Sequence, residues 1–187
     1  MMSLQKERNG QFTGELGRIL RDEITSKTNG RLKVHFDHAR VGSEKTIVHL
    51  GKKSSRANAL SFVDIAVVES GDDIIGNEDT RRVVLLCEVE EEGARPKKII
   101  GDLCSVLFAD GVQISGHHYH LNNTRLIIGI RRDEKGKSED KAEEVITKIQ
   151  NRVSTGSISG IVGVYGTSHR ELMDALHGEI LKSLGVG

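Results

Sequence analysis

The chain has 187 residues, 36% of them hydrophobic and 29% charged, with Lys plus Arg equal to Asp plus Glu at 27 each. Such a composition fits one ordinary globular domain over 1–187 and argues against disorder, and the zero balance removes the global basic footprint that many nucleic-acid binders carry. Trp is absent and aromatics make up 3%, so the core has to be aliphatic, and a base-stacking platform for single strands is disfavoured.

Phe12, Leu16, Ile19, Leu20 and Ile24 recur at helical spacing and predict a helix over 11–27, ended by Asn29-Gly30. RLKVHF (31–36) alternates as a strand. The polar stretch 37–60 reads as loop with room for one short helix. SFVDIAVV (61–68) predicts a strand, SGDDIIGNEDT (70–80) a loop and RRVVLLCEVE (81–90) a β-branched strand. Pro96 fits the first turn of a helix reaching about Ala109, where its missing N–H costs little.

Val112–Ser115 and Arg125–Arg131 predict strands, with GHHYHLNN as a polar turn between them. DEKGKSED is a solvated linker, and Ala142, Val145, Ile146, Ile149 and Val153 mark a helix. GIVGVYG (160–166) predicts a buried strand whose glycines permit close helix packing. Ser168 and Glu171 form a capping box that opens a last helix through Leu184. The order α-β-β-β-α-β-β-α-β-α predicts an α/β fold with a mixed sheet.

Cys87 and Cys104 lie in apolar runs and are expected as buried free thiols. No apolar run approaches the ~20 residues of a membrane span, and the start MMSLQKERNGQ lacks the apolar stretch of a signal peptide. No membrane contact and a cytoplasmic location are the expectation.

The candidate chemistry sits on two strands. Alternation sends Glu88 and Glu90 to one face of 81–90, and Val83, Leu85, Cys87 and Val89 to the other. Asp64 shares a face with Phe62 and Ala66, in mid-strand, where β-propensity disfavours Asp. Burying an unpaired carboxylate is expensive. A divalent cation such as Mg²⁺ would compensate, since it takes one or two carboxylates plus waters; so would salt bridges to Arg95, Lys97 or Lys98, or exposure near the strand ends. His117, His118 and His120 carry metal-ligating side chains, but no second ligand group follows at a defined spacing. GIVGVYGTSHRE lacks the GK[ST] of a phosphate loop.

Asp64, the strand bearing Glu88-Val89-Glu90, and the helix with Lys97 and Lys98 together resemble the PD-(D/E)XK nuclease superfamily of restriction endonucleases and Holliday-junction resolvases. The resemblance implies a restriction-endonuclease-like core, α-β-β-β-α-β over 11–131, with a C-terminal α-β-α extension. It implies Asp64 and Glu88 as ligands of Mg²⁺ or Mn²⁺, with Glu15, the acidic residue of the first helix, as a further metal ligand. Glu90 stands where the superfamily usually has Lys, so Lys97 or Lys98 would supply that charge, with Glu90 as a further ligand or a water-orienting group. The implied reaction is phosphodiester hydrolysis in nucleic acid, DNA ahead of RNA, and a homodimer is left open. Lys52, Lys53, Arg56 and Arg95 are the candidate phosphate contacts, with Arg81 and Arg82 behind them; the plainer alternative for all six is solvated surface. If neither lysine reaches the acids, the alternative is an inactive nuclease-fold module that binds nucleic acid or protein.

Overall fold

The computed structural model describes residues 11–37, 44–52, 55, 57–70, 81–91, 96–132, 139–152 and 156–187. Its elements are α1 (Gln11–Lys27), β1 (Leu32–Phe36), β2 (Thr46–His49), β3 (Ala59–Val63), β4 (Ile65–Glu69), β5 (Arg82–Glu90), α2 (Pro96–Leu107), β6 (Gly111–Ile114), β7 (His117–Arg131), α3 (Glu139–Arg152), β8 (Ile158–Gly166) and α4 (His169–Leu184). All eight strands join one mixed sheet in the order β1-β4-β5-β7-β6-β2-β3, with β8 also pairing β7. The pairs β5–β7 and β7–β8 are parallel and the others antiparallel. Each parallel pair is bridged by a helix, α2 or α3, as a parallel connection requires.

The sheet separates two aliphatic cores. Leu16, Leu20 and Ile24 of α1 and Leu172, Leu176 and Ile180 of α4 pack with Val67, Leu85 and Ile127 on one face. Ile99, Leu103 and Val106 of α2 and Ala142 and Ile146 of α3 pack with Leu86, Leu126 and Ile128 on the other. The result is an α/β protein with helices on both faces of a mixed sheet. No helix among the described residues is long and apolar enough to cross a membrane.

Three departures from the sequence expectations matter. First, 37–60 holds β2 and the start of β3 rather than a loop or short helix. These strands were hidden because Ala59, Leu60 and Phe62 are exposed, so β3 lacks a clean buried alternation. With β6 they form a wing that pairs the first half of β7.

Second, HHYH (117–120) is strand, not turn: the turn is Ser115-Gly116, both at positive φ (48° and 84°). Third, bulges shift the faces. Tyr119 and Leu121 face α2, but so do Leu126 and Ile128, because β7 slips register between Thr124 and Arg125. Asn123 (φ 55°) makes that kink, and buried Thr124 pins it by donating Oγ1 to the Val83 carbonyl at 2.7 Å. A matching slip in β5 puts Val83 on the α2 side, not with Leu85 and Cys87 as simple alternation predicts.

Close packing explains one expected glycine and not another. A Cβ on Gly166 would lie 2.3 Å from the Leu172 backbone N, so α4 approaches β8 closely only because that position is bare. Gly101, in contrast, has nothing within 4 Å of where its Cβ would be, so it serves no approach of α2 to the sheet. Gly166→Ala is expected to lower stability by about 1–3 kcal/mol, since backbone has to shift. Gly101→Ala should be neutral or slightly stabilising. Thermal melts of both variants check this, and equal melting temperatures would contradict it.

Candidate functional site

The predicted strand 61–68 is not continuous. It breaks at Asp64, which alone separates β3 from β4. The pairing Ile65↔Cys87 sets Asp64 opposite Glu88. Because β3 leaves the ladder here, the Val89 N–H has no strand carbonyl to meet. It donates instead to Asp64 Oδ2 at 2.8 Å. The Asp64 carbonyl in turn accepts from Asp37 N at 2.9 Å. A residue poor in β-propensity is thus fitted to the one place where the strand stops being a strand.

Glu88 and Glu90 point toward α2, and both are only 6% exposed. Glu88 Oε1 is buried and has no hydrogen-bond partner. Burial pushes the Glu88 carboxyl well above the usual carboxylate range, and the charges of Asp64 and Asp102 push it further, against the pull of Lys98. The Asp64 carboxyl lies within hydrogen-bonding reach of Glu88, which adds to the rise in the Glu88 carboxyl.

Lys98 and Asp102 come from α2, whose first residue is Pro96. Lys98 Nζ donates to Glu90 Oε1. Lys97 is exposed. Lys98, itself about half exposed at the side chain, reaches the acids by pairing with Glu90. Asp102 is half-buried, and its carboxyl is raised by burial, with Lys98 opposing and Asp64 adding to the rise. Asp102 was legible only as the i,i+4 partner of Lys98; its proximity to Glu88 depends on how α2 docks, which no local pattern encodes.

The other candidates scatter. Glu15 is exposed on α1. Lys52 is exposed beyond the end of β2. Thr46, not the tip, pairs with Val63 beside Asp64, and β2 then runs away from it to His49, with Lys52 past that far end. Lys53, Arg56 and Arg95 lie outside the described residues. Arg82 is paired with Glu69 at 2.5 Å, and Arg81 donates to His117 Nδ1 at 2.6 Å.

His118 and His120 lie on β7, with ring centroids 4.7 Å apart. His118 Nδ1 is 3.2 Å from Nε2 of buried His49, a third imidazole that the sequence did not connect to them. Among the described residues, no three His, Cys, Asp or Glu side chains are grouped as a metal cage. Cys87 and Cys104 are free thiols; Cys87 is buried and Cys104 only half-buried. Burial raises the Cys87 thiol well above its ordinary range.

Comparison of the chain with protein families, curated proteins and solved structures finds no match. The geometry alone has to carry the functional argument.

The Glu88 carboxyl gives a signed pH dependence. The unfolded chain loses this proton near 4.5, and the folded chain holds it to higher pH. Without a bound cation, stability should therefore fall as pH rises above about 4.5, until Glu88 ionises in the folded state. Glu88→Gln keeps a donor for Asp64 and removes the titration. At neutral pH in chelator it should raise the melting temperature by about 2–8 °C, on the order of 1–2 kcal/mol. A variant melting at or below the parent would contradict this.

Proposed function

We propose that the chain is a metal-dependent nuclease of the restriction-endonuclease-like type. It would hydrolyse phosphodiester bonds with Asp64 and Glu88 as the ligands of Mg²⁺ or Mn²⁺. One observation carries the reading: Glu88 Oε1 is buried and without a partner, against a second carboxyl, where an uncompensated charge is costly. The donors are hard oxygens, which suit Mg²⁺ or Mn²⁺. Two carboxylates are enough, because Mg²⁺ completes its shell with water and substrate phosphate.

The chain order supports the same reading. α1, β1, β4, β5, α2 and β7 follow the α-β-β-β-α-β core, with β2 and β3 inserted after β1 and β6 added before β7. Asp64 then precedes the second core strand, and Glu88-x-Glu90 closes the third.

The bound cation would polarise the phosphate and lower the pKa of a water. The chain's own residues do the rest. Asp64 stays fixed by the Val89 N–H, so the acid pair is preorganised. Glu90 holds the Lys98 ammonium at the mouth of the pair, where charge develops on the phosphoryl oxygens. Proton release from Glu88 would precede metal loading, so loading should strengthen as pH rises.

A second reading rests on the same Lys98–Glu90 contact. A lysine neutralised by a carboxylate contributes less to catalysis, which favours a nuclease-fold module that binds nucleic acid or protein without cutting.

Cleavage of plasmid DNA with Mn²⁺ and calorimetric titration of Mn²⁺ test the proposal. Asp64→Asn keeps an acceptor for Val89, and Glu88→Gln keeps the buried hydrogen bond. Both should fold and lose at least about 100-fold in cleavage rate, in line with the loss of a principal electrostatic group. Absence of Mn²⁺ binding by the parent chain would sink the nuclease reading. Metal binding without cleavage would leave the binding-module reading.

A further inference from the structure

The carboxyl ends of β5, β7 and β8 converge on one rim of the sheet, the usual location of ligands in open α/β sheets. Glu88 and Glu90 close β5 there. Ile130 pairs with Glu90, so Arg131 is the next residue along the rim. Ile130 faces α2, which turns Arg131 to the α1 and α4 side.

Arg131 meets His169, the first residue of α4. Its Nη1 lies 3.2 Å from Nε2 and 3.5 Å from Nδ1 of the imidazole. Phe12 of α1 stacks on His169, with ring centroids 4.1 Å apart and planes 12° from parallel. The imidazole is therefore held in place rather than free to swing away.

Two donor-bearing side chains thus touch, and among the described residues no carboxylate forms an ion pair with either. Two acids close by in register or sequence are committed elsewhere. Glu91, next to Arg131 by register, accepts from Thr13 N at 2.8 Å and from Thr13 Oγ1. Glu171 accepts from Thr167 N at 2.9 Å and from its hydroxyl. Arg132, the next residue, turns to Glu143 at 3.8 Å and to the Tyr165 ring. A guanidinium beside an imidazole without a counter-charge is the donor set an oxyanion fills, and Arg matches phosphate bidentately.

We infer that Arg131 and His169 form a phosphate-binding pair that holds the backbone of a DNA strand laid across the rim, on the opposite face of the sheet from the Asp64–Glu88 acids. This inference rests on the nuclease reading for its ligand but not for its residues. Arg131 and His169 would position the strand; they are not catalytic residues. They also supply what Lys52 cannot from the far end of β2.

The test is binding of a short fluorescent DNA duplex in chelator, followed by anisotropy across a salt series. Arg131→Ala should weaken binding about tenfold and make the salt dependence shallower by about one unit of log–log slope. Arg131→Lys keeps the charge without the fork, should fall between parent and Ala, and guards against misfolding of the Ala variant. Arg125→Ala is the charge-matched control, on the same strand and donating to Ser183. It should bind like the parent.

Parental affinity in both Arg131 variants, an equal loss in Arg125→Ala, or no DNA binding by the parent would overturn the inference. The two readings separate in Mn²⁺. Arg131-dependent binding by a parent that never cuts defeats the nuclease reading and leaves the phosphate pair standing. Cutting by a parent whose affinity does not depend on Arg131 does the reverse.

Discussion

The site depends on a strand that stops at one residue. Where β3 turns into β4, the Val89 N–H loses its ladder partner, and the Asp64 carboxylate takes the carbonyl's place. An aliphatic side chain at this position would leave a part-buried donor without its partner, at a cost of up to about 1–3 kcal/mol. The same bond fixes Asp64 opposite Glu88. Backbone satisfaction and carboxyl pairing are therefore one event, and the Asp64 charge adds to the rise that burial gives the Glu88 carboxyl. The wing of β2, β3 and β6 can curl off the sheet because this bend is made good by a side chain.

The second constraint comes from α2. Its first turn carries Lys98 to Glu90, and its next carries Asp102 into the field of Glu88. Three acids near one another would repel strongly without that ammonium. Lys98 thus has a structural role and a place beside the proposed chemistry at once. Glu90 does not leave the acids without a cation: Lys98 arrives from α2 and pairs with it.

Much of the fold was legible, for identifiable reasons. α1, β5, α2 and α4 carry strong aliphatic periodicity, and Ser168 accepts from Glu171 N as a capping box demands. The wing was not legible, because Leu60 and Phe62 face outward and break the alternation that marks a strand. The length of β7 was masked by the bulge at Asn123–Thr124, which reverses the inward phase partway along. Asp64, Glu88 and Glu90 stood out in the sequence because acids in apolar strands are rare. Asp102, and the pairing of Arg131 with His169, did not: each depends on how separate elements dock, and exposed or half-exposed polar residues leave no periodic trace. The basic residues that did stand out, Lys52 among them, were conspicuous only by clustering.

Anomalous diffraction from a crystal soaked in Mn²⁺ near neutral pH tests the metal-site reading most directly. An anomalous peak within ligand distance of Asp64 and Glu88 Oε1, with Lys98 still on Glu90, is the predicted result. A well-diffracting crystal with no peak there, and with Glu88 still hydrogen-bonded to Asp64, would contradict it.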